Sequence, residues 1–510
     1  MSARSLHRRD FHAAALAAAA SALGGCAVPV EPPPAASGAS PTAAGGANPD
    51  TAGATTAAAE APAQGADTAP PVELRAAWVA TVDNIDWPSR PGLSGAAQRA
   101  EALLMLDRAA QIGLNALVLQ VRPAADAIYP SALEPWSEYL SGAQGQPPDD
   151  GYDPLAFWVE QAHRCGLALH AWFNPFRARH ATAKGPLAAN HLANTQPSLV
   201  KSYGQQLWMD PGEAAAAART LAVVADVLRR YAVDGVHIDD YFYPYPVSSG
   251  IGAAAIKQPF PDQPSWQRYL QMGGLLSRDD WRRDNVNRLV QAMQARVKRE
   301  RPDALFGISP FGLGRPELRP PGILGFSQYH ELYADVELWC EQGWCDYLAP
   351  QLYWAIDQPA QAFGVLLDYW LAKAGPGLAV WPGLFTSRIG APQRAFDAEQ
   401  ILRQIALLRA RGAAGGTGVA AGGAAGEPGG HIHFSMIALM QDRDGIASRL
   451  QADPYAAPAR RPPLRVVKPP SVGTPSVKPP SASLTSASPP SASPLSASPP
   501  GASPFSAHPP

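Results

Sequence analysis

The chain has 510 residues, with 41 Lys and Arg against 43 Asp and Glu, a net charge of -2 and only 16% charged residues, which excludes a nucleic-acid binder working through a basic face. Its 54 prolines are concentrated toward the two ends, so the folded part is expected over 72–455. No run of about 20 apolar residues is present, which excludes a spanning helix in the mature chain.

Residues 1–26 read as a targeting segment: Arg4, Arg8 and Arg9, an Ala-rich apolar stretch from Phe11 to Leu23, then small residues before Cys26. Arg8-Arg9 followed by Asp10-Phe11 resembles a twin-arginine export signal, and Leu23-Gly24-Gly25-Cys26 resembles a bacterial lipobox. The lipobox implies cleavage before Cys26 and lipidation of its thiol, and Ala27 after it suits outer-membrane sorting. An ordinary cleaved signal with an incidental Cys is the alternative. Residues 27–71, rich in Ala, Pro, Gly and Thr, cannot bury enough apolar surface to offset ordering entropy and are expected to be a disordered tether. Residues 456–510 are Pro and Ser with no acidic residue, and Ser-Ala-Ser-Pro recurs from Ser486 onward, as in an extended, disordered tail.

Between these ends short apolar runs alternate with amphipathic stretches. Strands are predicted at Leu74–Ala80, Ala116–Val121, Leu167–Phe173, Gly235–Ile238, Leu305–Ser309, Tyr347–Pro350, Leu378–Trp381 and His431–Ser435. Helices are predicted at Gln98–Ile112, Pro154–Cys165, Glu213–Tyr231, Trp281–Arg299, Gln358–Lys373 and Ala398–Arg411, with a short one near Asp335–Glu341. Eight strand-helix units predict an α/β fold, a (β/α)8 TIM barrel over 72–455, whose chemistry sits at the C-terminal ends of the strands.

The mouth positions can therefore be read in order. Asp83, Asn84, Asp86 and Trp87 follow the first strand; Arg122 and Asp126 the second; Asn174 and Arg177 the third. Asp239-Asp240-Tyr241-Phe242-Tyr243-Pro244-Tyr245 follows the fourth, Ser309-Pro310-Phe311-Gly312 the fifth, Gln351, Tyr353 and Trp354 the sixth, and Trp381 lies at the seventh. Hydrogen-bonding groups interleaved with Trp and Tyr suit a sugar cleft, because pyranose faces stack on rings while hydroxyls need fixed partners. Arg122, Asp126, Asn174, Tyr241, Tyr243, Gln351, Tyr353, Trp354 and Trp381 are the expected substrate contacts.

Asp234-Gly235-Val236-His237-Ile238-Asp239-Asp240 is the most informative heptad. Val236 and Ile238 alternate as buried strand residues and leave two carboxylates at the strand end. Adjacent carboxylates repel, so at least one pKa should rise, which keeps a group protonated for general acid work. The bland alternative has one Asp capping the turn and the other paired with Arg122 or Arg177. His237 is expected as a satisfied interior histidine. Cys340 and Cys345 leave a local bridge open, and no Cys or His spacing fits a metal, so neither metal nor cofactor is expected.

The chain resembles the glycosyl-hydrolase-like family ten of bacterial lipoproteins over about 73–435. The resemblance rests on Arg75-Ala76-Ala77-Trp78-Val79, Asn115 to Pro123, His170-Ala171-Trp172-Phe173-Asn174-Pro175, Asp234 to Pro244, Ser309 to Gly312, and Asp346 to Trp354. It implies a barrel-fold glycoside hydrolase anchored in the cell envelope, on the periplasmic side, acting at division sites on peptidoglycan glycan strands stripped of their stem peptides. Division-site proteins are then possible partners. Two departures stand out: the Gly/Ala-rich run Ala413 to Gly430, and the Pro/Ser tail in place of the C-terminal β-sandwich that some members carry.

Ordinary glycosidases place two carboxyl groups across the cleft, whereas substrate-assisted ones let the sugar's acetamido oxygen attack the anomeric carbon. Both sugars of peptidoglycan carry that group. Asp240 is then expected as general acid/base, with Asp239 orienting and polarising the acetamido group and Asn174 and Tyr353 assisting. A glycan-binding lipoprotein without turnover, or a hydrolase of another N-acetylated polysaccharide, remains the alternative.

Overall fold

The computed structural model describes residues 70–249, 256–375, 377–392, 395–415 and 427–463. The targeting segment with Cys26, the tether up to residue 69, the tail from residue 464 and the centre of the Gly/Ala run lie outside the described residues.

Ten parallel segments among the described residues form one sheet. They make eight barrel strands, because the last two are each interrupted once: β1 (Leu74–Val79), β2 (Ala116–Arg122), β3 (Ala168–Phe173), β4 (Gly235–Ile238), β5 (Leu305–Ile308), β6 (Tyr347–Leu348), β7 (Ala379–Val380, then Gly383–Leu384) and β8 (Glu427–Pro428, then Gly430–His433). Neighbours in sequence are neighbours in space, and the circuit closes. Ala379 pairs with Glu427 and Gly383 with Ile432 between β7 and β8, and Ala76 pairs with Ile432 between β8 and β1. The fold is the (β/α)8 barrel that the alternation implied.

Helices α1 (Gly95–Gln111), α2 (Pro154–Arg164), α3 (Ala214–Arg230), α4 (Arg278–Glu300), α5 (Val336–Glu341), α6 (Phe363–Ala374), α7 (Ala398–Gly415) and α8 (Ile446–Ala452) cross between or follow the strands. Their starts follow from local chemistry. Ser94, Asp153 and Ser277 cap α1, α2 and α4 by accepting from Ala97, Ala156 and Asp280 backbone N–H groups, and Pro154 occupies the first helical turn, where its missing N–H costs nothing.

Two glycines set the barrel's inner diameter. A Cβ on Gly307 would lie 1.9 Å from Tyr347 Cζ, and one on Gly235 would lie 2.9 Å from His170 Cγ. Those rings fill the interior and meet His237. Trp78 Nε1–H donates to His237 Nε2 at 3.2 Å, which puts the imidazole proton on Nδ1. Nδ1–H then donates to Tyr347 Oη at 2.9 Å, and Tyr347 O–H donates to His170 Nδ1 at 2.8 Å. His237 is thus a satisfied interior residue, and burial with the neighbouring His170 holds its pKa well below the usual imidazole value.

The connections carry structure beyond the strand-helix alternation. After β3 a small antiparallel sheet joins Arg177–Arg179, Gln206–Met209 and Val200–Tyr203. After β4 a short hairpin (Ser248–Ser249 with Ile256–Lys257) precedes a helix at Gln263–Gln271. Cys340 and Cys345 form no bridge and are both buried thiols. Packing continues past Tyr455, which is buried against His431, His433 and Arg75. Arg460 pairs with Val72 just before β1.

Candidate active site

Alternation along β3 and β4 decides which mouth residues face the barrel axis. His170 and Trp172 on β3, and His237 on β4, project inward; Asn174 and Asp239 continue these rows at the strand ends. Asp239 accepts from Trp172 Nε1 at 3.0 Å and from Asn174 Nδ2 at 3.3 Å. The residue is only 4% exposed. Burial pushes it up to about 6, against the pull of the Arg177 guanidinium and with a further push from Asp240. Asp239 is thus a raised carboxyl, chiefly through burial.

Asp240 faces the other side of the chain, where Tyr245 Oη donates to its Oδ2. Tyr245 stacks on Phe326 with centroids 5.2 Å apart, and Phe326 meets Phe311. The two carboxyls thus sit in different surroundings, one among polar donors at the axis and one against an aromatic wall. Different environments for neighbouring carboxyls are the arrangement that gives them separate roles.

Asn174 is itself held from both sides. Its Oδ1 accepts from Arg177 N at 2.8 Å, and its backbone carbonyl accepts from Arg122 Nη1 at 2.6 Å. Arg122, fully enclosed, forks onto Glu134 at 2.8 and 2.5 Å. Asp126 accepts from Ala124 N at 2.8 Å and is raised to about 6 by burial. These two β2 residues brace the mouth from within. Tyr243 is likewise enclosed, between Phe260, Tyr333 and Arg282. Trp381 lies in the barrel interior with its ring 4.5 Å from Tyr347, below the mouth. Trp354 packs against Phe311, and Gln351 donates to Ser309 O at 3.1 Å.

The residues left at the open rim are Tyr241 and Tyr353, both half-buried. The Arg177 guanidinium lies 4.5 Å over the Tyr241 ring. Tyr353 sits among Phe385 at 4.8 Å and Phe434 at 5.6 Å, and Phe434 meets Trp78 at 6.1 Å. Neither Trp172 nor Phe434 stands out as a site residue in the sequence pattern. The signal for Trp172 is its parity, two residues before Asn174 on the same face of one strand. Asp86, a mouth carboxylate, is a stitch between β1 and the end of β8: it accepts from Ala80 N at 2.8 Å, Ser435 Oγ at 2.8 Å and Ile437 N at 2.7 Å. Among the described residues no group of three or more His, Cys, Asp or Glu is arranged to hold a metal ion.

Known proteins are similar to this chain in sequence. The family model described as glycosyl hydrolase-like 10 matches residues 73–400. Glycosyl hydrolase YngK of Bacillus subtilis (strain 168) is 39% identical over 400 residues, covering 77% of this chain and 74% of that protein. Glycosyl hydrolase DigH of Escherichia coli (strain K12) is 33% identical over 341 residues, covering 63% of this chain and 75% of that protein. Among solved structures, the glycoside hydrolase domain of PgaB (BpsB) from Bordetella bronchiseptica aligns with a TM-score of 0.46 and 13% identity over 75% of this chain and 98% of that one.

Proposed function

Because the chain belongs to the glycosyl hydrolase-like 10 family and is a glycoside hydrolase, we propose that it is an envelope lipoprotein that cleaves peptide-free glycan strands of peptidoglycan during division or wall remodelling. The observation that carries the chemistry is Asp239: a buried carboxyl at the barrel axis, oriented by Trp172 and Asn174 and raised to about 6. A carboxyl so poised holds a proton in a useful fraction of molecules near neutrality. In this reading Asp239 therefore takes the acid role that the substrate-assisted scheme drawn from the sequence gave to Asp240.

In this reading Asp239 gives its proton to the glycosidic oxygen as the bond to the anomeric carbon breaks. The acetamido oxygen of the same sugar attacks that carbon from the opposite face, and Asp240 accepts the acetamido N–H. The carboxylate left on Asp239 then removes a proton from the incoming water, which returns both groups to their starting states. Tyr353 and Tyr241 offer ring faces to the flanking sugars. An envelope glycan as substrate is supported by the export signals before residue 27, and acetamido-assisted chemistry by the N-acetyl group that both of its sugars carry. Lipid attachment at Cys26 belongs to the same proposal.

Purified residues 70–463 incubated with peptide-stripped strands, and separately with intact sacculi, tests this by mass spectrometry of the products. Short oligosaccharides from the stripped strands, absent with Asp239→Asn, are expected. Binding without cleavage would overturn the hydrolytic reading of this substrate. Labelled palmitate on the full-length protein, lost in Cys26→Ser, is the expected sign of the anchor.

A further inference from the structure

Two connections on the mouth side of the barrel, those after β6 and β7, line an open cavity of about 570 Å³. Its walls include Gln358, Gln361, Arg388, Phe396, Asp397 and Gln400. Volumes of several hundred Å³ with a few placed polar groups are those of small-molecule and sugar sites. Gln400 Nε2 is enclosed and has no hydrogen-bond partner among the described residues, although buried donors are as a rule paired. This amide is left for a ligand acceptor. Arg388 and Asp397 cancel in formal charge, so the cavity suits a neutral ligand rich in hydroxyl and amide groups. The half-buried Phe396 adds a ring for such a ligand to rest on.

A series of side-chain contacts leads from Trp78, whose Nε1 donates to His237 two residues before Asp239, to the wall of the cavity. From Trp78 at the axis the path goes to Phe434, then Tyr353, then Phe385, at 6.1, 5.6 and 4.8 Å between successive centroids. Arg388 continues it, 6.0 Å from the Phe385 centroid and 4.9 Å from that of Phe396, and donates to Tyr353 O. Tyr353, Phe434 and Phe396, the half-buried rings along this series, would support a glycan that extends from Asp239 toward the cavity.

The geometry points to a distal subsite: the cavity between the β6 and β7 connections binds an N-acetylated sugar of the same strand, several units from the bond that is cut. This inference rests on the reading that the enzyme cuts a glycan strand. It makes the enzyme one that favours long strands, because only they reach both sites and gain the added binding.

Two substitutions of Gln400 test it. Gln400→Ala removes the donor, and Gln400→Trp fills the cavity; neither residue choice touches Asp239 or its partners. Peptide-free strands fractionated by length are the probe. Both variants should lower kcat/KM on long fractions by roughly five- to tenfold, the effect of one lost hydrogen bond, and leave hydrolysis of the shortest cleavable fraction within twofold of wild type. Equal losses on long and short fractions, or no loss on either, would overturn the subsite while leaving the hydrolase reading intact. If no fraction is cut by the wild type, that reading fails, and binding of uncut long strands decides the cavity: weaker binding by Gln400→Trp sustains it and unchanged binding removes it.

Discussion

Trp172 Nε1 donates to Asp239 Oδ2 at 3.0 Å across two neighbouring strands. A bond given to a carboxylate favours its charged form, so removing the donor raises the pKa further. Trp172→Phe keeps the ring's bulk and deletes the N–H. The expected result is a lower kcat together with an alkaline limb of the pH–rate profile displaced to higher pH. A profile unmoved by the substitution would separate Asp239 from the titrating group.

The two aspartates are expected to differ in how they respond to the leaving group. An acid is dispensable when the departing group needs no proton. Asp239→Asn should lose about 10²-fold or more on natural glycan and regain most of it on an aryl N-acetylglucosaminide with an acidic phenol. Asp240→Asn, which in this reading weakens acetamido attack, should stay slow on both. The reverse pattern would return the acid role to Asp240. Wild-type kcat/KM should fall as pH rises through about 6, the value to which burial pushes Asp239, since the working form is protonated.

Stability should have its own pH dependence. Asp86, Asp126 and Asp239 are each raised by burial to about 6. The folded chain therefore holds protons that the unfolded chain has released, and stability falls as pH climbs from about 4 to 6. Glu73 works in the opposite sense. Burial pushes its carboxyl up, but Arg409, His431 and Arg75 together pull it down to about 2, and the stability it contributes is lost as pH drops below about 4.5. The melting temperature should accordingly be higher at pH 5 than at pH 7, and should fall only below about pH 4, where the three raised carboxyls have made their full contribution and Glu73 is losing its own. A monotonic rise toward neutrality would contradict the three raised carboxyls.

Gly307→Ala should destabilise the barrel by about 3 kcal/mol or more, because its Cβ would sit 1.9 Å from Tyr347 Cζ and the ring has no free space to move into. Tyr347→Phe removes the hydroxyl that joins His237 to His170 and should cost about 1–3 kcal/mol through the buried imidazole groups left unpaired. Urea unfolding of both variants measures these losses. Activity at the mouth should fall less than stability, since neither change reaches Asp239 directly.

The order of strands was legible because each is an apolar run such as Leu-Val-Leu-Gln-Val bounded by helical segments, and parallel burial favours such runs. The carboxylate pair was legible for the same reason: where a strand ends, the next residues stand at the mouth. Position along the chain does not fix direction, however. Arg122, Tyr243 and Trp381 all follow or end strands, and all turn into protein, Arg122 toward Glu134 and Trp381 onto Tyr347. The small sheet of Arg177–Arg179, Val200–Tyr203 and Gln206–Met209 was hidden because its strands are too short and too mixed in polarity to give a period. The distal cavity was hidden too, since Gln358 and Gln400 come together only when β6 and β7 are side by side.

Val72 and Arg460 pair at the end of the barrel where β1 begins, and Arg461 Nη1 reaches Asn115 O and Gly166 O, just ahead of β2 and β3. Both directions of the chain therefore leave from the floor, opposite the rim that carries Asp239. Any pull on either direction would enter the barrel at the floor ends of its strands, on the side opposite the cleft.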